Sequence, residues 1–274
     1  MDTRLRFATV AVSVDGGAGT AERVALAARI ARRFDARLVG FAAQGIPVSA
    51  YAGGADGGYQ VVLAAEEESA RTHLAEAKAL FHRSCGGAAD WLERQCDPNA
   101  FALQHAGLAD LTVLGRRGPG DPDPGPMAVD AGAVAMKSGR PILVVPPGDR
   151  RDEARFALVA WNNSREARRA LADALPFLTR AEEVQIVAIA QDSGGEGLTD
   201  AGTYLARHGV QARARYLPTY TGSIENEIFN QANAMGADLI VAGAYGHSRL
   251  REWFFGGITR SLLQFTPCPC LLSH

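Results

Sequence analysis

Two glycine runs near the end of the chain carry the chemistry that residue types alone can show. Gly243-Ala244-Tyr245-Gly246 follows an apolar run, and after nine further residues comes Gly256-Gly257-Ile258-Thr259. Glycine lets backbone approach a ligand closely and adopt positive φ. A helix start offers free N–H groups at the positive end of its dipole. Together the two runs make an anion cradle suited to the phosphates of a nucleotide. In an open parallel sheet such a cradle lies beyond the carboxyl ends of the strands, at the topological switch point. His247, Arg249 and Arg251 fall between the runs and are candidates to meet phosphate. They read equally as a solvated face, with Glu252 pairing locally. Trp253-Phe254-Phe255 reads as buried against a neighbour.

The elements that must position these residues are written twice. Arg6-Phe7-Ala8-Thr9-Val10-Ala11 returns as Arg155-Phe156-Ala157-Leu158-Val159-Ala160. Residues 109–118 return as 237–246, an offset of 128 that holds without a gap to Pro141 and Pro269; the first pair is offset by 149, so the first copy has 21 extra residues. Self-similarity over this length means two copies of one domain. The expected bounds are 1–149 and 150–274, with Pro146-Pro147-Gly148 and Arg150-Arg151-Asp152-Glu153 marking the junction.

In each copy short apolar runs alternate with amphipathic stretches. Strands are predicted at 7–12, 38–43, 89–95, 109–115 and Ile142–Val145, and again at 156–161, 184–190, 211–217, 237–243 and 270–272. Ser164 is the candidate N-cap of a helix whose stripe runs Ala167, Ala170, Leu171, Ala174, Leu175, Leu178. A long helix is predicted over 61–83, and a shorter counterpart over 196–208. Alternation of this kind implies an α/β fold: two tandem doubly wound, Rossmann-like domains, each a five-stranded parallel sheet flanked by helices.

The copies differ at the glycine runs. Ala128, Val129 and Ala131 stand opposite Gly256, Gly257 and Thr259, and Ser13 stands opposite Asn162. The first copy's loop, residues 118–126, is rich in proline, which removes N–H donors. Its Asp121 and Asp123 would repel phosphate. The first copy therefore reads as degenerate for nucleotide.

Composition narrows the rest. A net charge of −2 gives no electrostatic reason for a nucleic acid or membrane partner. No apolar run approaches the roughly 20 residues of a membrane span. The opening residues lack the apolar stretch of a signal peptide, so a cytoplasmic protein is the expectation. Cys85, Cys96, Cys268 and Cys270 have no further soft ligands at usable spacing and read as buried, reduced thiols rather than a metal site.

With these residues in view, the chain resembles the universal stress protein family across both repeats. The most specific element is G-x2-G-x9-G-(S/T), matched by Gly243, Gly246 and Gly256. Gly257 stands where Ser or Thr is the pattern, with Thr259 two residues on. Ala237-Asp238-Leu239-Ile240-Val241, the Cys-Pro before the last strand, and Val159-Ala160-Trp161-Asn162-Asn163-Ser164 are similar to family signatures. The resemblance implies a stress-response or regulatory module that binds ATP or another adenine nucleotide, with Mg as its companion, in the second domain. It places ribose and phosphates on the glycine loop and on Gly257, Ile258 and Thr259, and the adenine at Asn162 and about Ile189. Asn for the family's Asp keeps an acceptor without the charge, and Gly257 forgoes a hydroxyl bond of about 0.5–1.5 kcal/mol. Weakened binding rather than loss is expected. Single-domain relatives pair through their last strands, which implies an intramolecular pseudo-dimer through Ile142–Val145 and residues 270–272; a further homodimer is left open. Two rivals stand beside this reading. One is a ligand-free protein-interaction module that keeps the glycines as turn chemistry. The other is a slow ATPase, for which the sequence has no P-loop lysine, no paired carboxylates at the loop and no evident metal site.

Overall fold

The computed structural model describes residues 5–46, 58–123, 125–149, 151, 154–189, 195, 197–245 and 257–274. The first half runs β1 (Thr9–Ser13), α1 (Thr20–Phe34), β2 (Arg37–Ala43), α2 (Gly58–Cys85), β3 (Asp90–Arg94), α3 (Pro98–Ala106), β4 (Leu111–Gly115), α4 (Ala131–Lys137) and β5 (Ile142–Val145). The second runs β6 (Phe156–Ala160), α5 (Arg165–Asp173), α6 (Leu175–Leu178), β7 (Glu183–Ile189), α7 (Leu198–Arg207), β8 (Ala212–Leu217), α8 (Ile224–Met235), β9 (Leu239–Gly243), α9 (Gly257–Phe265) and β10 (Cys270–Ser273).

All strands join one sheet in the order β3-β2-β1-β4-β5-β10-β9-β6-β7-β8. Each half is parallel and has the same internal order, counted outward from its last strand. The halves meet where β5 and β10 run antiparallel, with Leu143 opposite Leu271 and Ile142 opposite Leu272. Alternate strand residues serve opposite faces, and both faces are covered: Val10 and Val12 belong to one core, Ala11 to the other. Phe7 and Phe34 of the first half enclose Phe177 of the second, with ring centroids 5.0, 5.1 and 5.6 Å apart. The Arg180 guanidinium lies 4.3 Å from the Phe34 centroid, a favourable cation–π placement.

A shared clasp explains one repeated sequence signature. The Asp110 carboxylate accepts the N–H groups of Ala8 and Thr9, both at 2.8 Å. Asp238 accepts those of Arg155 and Phe156 at 3.0 and 2.9 Å. Each aspartate thus satisfies donors at the entry of the neighbouring strand that would otherwise lack a partner.

Three expectations need correction. The stripe from Ala167 to Leu178 is not one helix: α5 stops at Asp173 and α6 restarts at Leu175. Pro176 has no N–H to continue the ladder and its ring crowds the preceding turn, though Leu175 and Leu178 still bury. Helix α2 extends beyond the predicted 61–83 at both ends. Cys96 is half-buried while the other three thiols are buried, and all four are free. Burial pushes the Cys268 thiol up to about 12. Among the described residues no helix is long and apolar enough to cross a membrane.

Candidate functional site

In the second half, β9 ends at Gly243 beside Ser273 of β10. Helix α5 leans directly on this strand end: a Cβ on Gly243 would lie 2.6 Å from the Ala167 nitrogen and 2.7 Å from the Glu166 carbonyl carbon. Only glycine fits there. Ser164 caps α5 by accepting from the Ala167 N–H at 3.1 Å. The side-chain oxygen of exposed Asn162 accepts from the Ser164 N–H and hydroxyl, at 3.2 and 2.7 Å. That oxygen is therefore engaged in the turn, and the Asn162 amide NH2 is the part left to meet a ligand.

Tyr245 follows with φ of 57°, the left-handed region that a bulky residue rarely enters. Its N–H donates to Thr259 Oγ1 at 3.0 Å, and Thr259 is buried in the first turn of α9. This bond ties the end of β9 to the start of α9. Exposed Gly257 opens α9, and among the described residues a Cβ there would meet only Glu225 Oε1, at 3.9 Å. Ile258 is half-buried beside it. Ile189 ends β7 with its side chain buried in the core that also holds Ile228, so it offers a ligand its backbone. Gly246 and Gly256 lie outside the described residues, as do His247, Arg249, Arg251 and Trp253-Phe254-Phe255.

The first half closes the equivalent place with its own side chains. Gly115 ends β4 beside Val145, and a Cβ on it would strike the Arg23 guanidinium. Arg23 is 4% exposed and donates Nε and Nη2 to the Ser13 carbonyl oxygen, each at 3.1 Å. Its Nη2 also meets Asp15 Oδ1 at 2.7 Å, where Thr20 Oγ1 and the Gly17 N–H donate too, at 2.6 and 3.2 Å. Burial alone would raise the Asp15 carboxyl, but the Arg23 charge and these bonds bring it below its ordinary value.

Six residues beyond Gly115, the loop supplies an anion of its own. Asp121 accepts from the Gly118 N–H at 2.7 Å and from Arg116 Nε and Nη2 at 3.1 and 2.6 Å. A carboxylate thus sits on the donor that a phosphate would use. Arg116 Nη1 reaches the Thr266 carbonyl oxygen at 3.0 Å, and Gly118 abuts the Gln264 carbonyl of α9. Beside the expected repulsion of phosphate stands a second feature: the Gly118 N–H already has an acceptor. Sequence reasoning missed Arg116, Arg23 and the Tyr245–Thr259 bond. The available signal was the offset itself, which sets Asp121 and Asp123 against Arg249 and Arg251.

Comparison with known proteins gives a consistent result. Residues 155–274 match the family model described as the universal stress protein family. Universal stress protein YxiE of Bacillus subtilis (strain 168) is 36% identical over 75 residues, 27% of this chain and 49% of that relative, so the match spans about half the relative's length. A universal stress protein from Archaeoglobus fulgidus DSM 4304 is similar with a TM-score of 0.69 at 15% identity, over 97% of each chain. A putative universal stress protein from Pseudomonas aeruginosa UCBPP-PA14 gives 0.58 at 15% identity, over 99% of this chain and 95% of that one. At these identities the structural likeness is one of fold.

Proposed function

We propose, from the match of residues 155–274 to the universal stress protein family, that this chain is a member of it and a stress-response regulatory module whose second domain, residues 150–274, binds ATP or a related adenine nucleotide, while the first, residues 1–149, does not. The observation that supports this reading is the Tyr245–Thr259 bond, which gathers the end of β9 and the start of α9. Backbone donors of residues 243–246 and 256–259 would hold the phosphates, and Mg would arrive with them. The Thr259 oxygen accepts from Tyr245, and its hydroxyl, which donates to none of the described residues, would turn its proton to a phosphate oxygen. Asn162 and the Ile189 backbone would flank the adenine.

Isothermal titration with MgATP, ADP and AMP tests the reading. Gly246→Val should weaken nucleotide binding at least tenfold, about 1.4 kcal/mol, by straining the turn and blocking approach. Gly257→Ser, whose Cβ meets no described atom closer than Glu225 Oε1 at 3.9 Å, should tighten binding. Undiminished affinity in Gly246→Val would place the ligand elsewhere. No binding in the wild type or in Gly257→Ser would make the chain a protein-interaction module, and steady phosphate release would make it an ATPase.

A further inference from the structure

The sheet has two open ends, β3 in the first half and β8 in the second. Both strands are exposed or half-buried along their whole length. An edge strand presents N–H and C=O groups that another strand can match. In β3 the direction of those groups is fixed. The Arg94 carbonyl oxygen accepts the Gln44 N–H, just past the end of β2, at 3.3 Å. Backbone groups alternate sides along a strand, so Asp90, Leu92 and Arg94 address β2, and Trp91 and Glu93 address the open side.

The sequence of β3, Asp90-Trp91-Leu92-Glu93-Arg94, is complementary to itself read backwards. Laid antiparallel on a second copy and centred on Leu92, it sets Asp90 against Arg94, Trp91 against Glu93 and Leu92 against Leu92. Opposed positions then share a face of the sheet, with Trp91 on the side of one core and Leu92 on the side of the other. In this register the outward groups of Trp91 and Glu93 exchange N–H···O bonds, and Leu92 forms the closer pair between them. Opposite charges facing each other across such a pair attract. Asp90 meets Arg37 of β2, and the Arg94 guanidinium lies 5.4 Å from the Phe101 centroid, contacts that leave Asp90 and Arg94 exposed.

The other edge opposes the same pairing. Centred on Ala214, β8 would set Arg213 against Arg215 of the second copy; centred on Arg213 or Arg215, it would set that arginine against itself. Like charges directly opposed destabilise a strand pair. We propose that two copies of this chain join through β3, as a symmetric antiparallel strand pair centred on Leu92. Two five-residue strands make a small contact, so the dimer is reversible. It does not depend on nucleotide.

Sedimentation velocity of the full chain over a concentration series tests it. The wild type should pass from monomer to dimer as concentration rises. Arg94→Glu sets carboxylates against each other across the pair, and Asp90→Lys sets cations against each other. Each variant alone should dimerise at least about tenfold more weakly. Mixed in equal amounts, the two regain both attractive pairs and should form a heterodimer as readily as the wild type dimerises. Both positions are exposed, so unfolding midpoints should stay near the wild-type value. Amide exchange at Trp91 and Glu93 should slow as concentration rises, with β8 unchanged. The proposal is overturned by a wild type that stays monomeric to about 1 mM, by an unchanged dimer in Arg94→Glu, or by a mixture that stays monomeric. Growth beyond dimers, which would join β3 to β8, or protection at β8 alone would overturn it too.

Discussion

The two halves share a strand order and an aspartate clasp, and they part at the glycine loop. In the first, Asp121 occupies the Gly118 N–H and is held there by Arg116. In the second, the aligned position is Arg249. The strand ends differ in the same sense. Gly115 faces the buried guanidinium of Arg23, whereas Gly243 faces the backbone of α5 beside the buried carboxylate of Glu166. Duplication has preserved what the fold needs and varied what a ligand would touch. The Gly118 N–H of the first half is not left empty, because an unpaired N–H in a packed loop is costly. It has been given a carboxylate.

The contrast can be broken most forcefully at Arg23. Arg23→Met strands the buried Asp15 carboxylate, and we expect a loss of about 3–5 kcal/mol in urea unfolding. The Asp15 pKa is lowered on folding, so its stabilisation is complete above the unfolded value of about 3.9. It is lost as pH falls through the folded value. The gap between wild type and Arg23→Met should therefore be full at neutral pH and close below about pH 4.

Asp121→Ala should cost less, about 1–3 kcal/mol, because it leaves Gly118 and Arg116 without their acceptor. The reciprocal change, Arg249→Asp, should lower MgATP affinity about tenfold with little effect on first-half stability. Equal nucleotide affinity in Arg249→Asp would mean that the charge reversal between the loops is incidental. The smallest effect belongs to Thr259→Val. Losing the acceptor for the Tyr245 N–H should cost about 1 kcal/mol and be seen as faster amide exchange at Tyr245.

The duplicated strands were legible because each run is short, apolar and bounded by turn residues, and because the second copy repeats the first in register. The aspartates of the clasp were visible as a signature, but their partners, the N–H groups of Ala8, Thr9, Arg155 and Phe156, lie on another strand. The same distance in sequence hid the closed site. Arg23 sits on an amphipathic helix, where arginine ordinarily points to water, and only tertiary packing turns it onto Ser13 and Asp15. Asp121 reads as a repulsive charge until its pairing with Arg116 is seen. Pro176 breaks the helix while the apolar stripe runs on through it, so the periodicity of the stripe conceals the break. The glycine runs themselves were legible in type and spacing, while the bond that joins them, from Tyr245 to Thr259, spans fourteen residues.

The central claim is that the second loop receives nucleotide and the first, filled by its own carboxylate, does not. Amide hydrogen exchange with and without saturating MgATP tests it directly on the unmodified chain. Slowed exchange across residues 243–259, with residues 115–132 unchanged, is the predicted result. Protection across 115–132 with none at 243–259 would contradict the account and reverse the roles of the two halves.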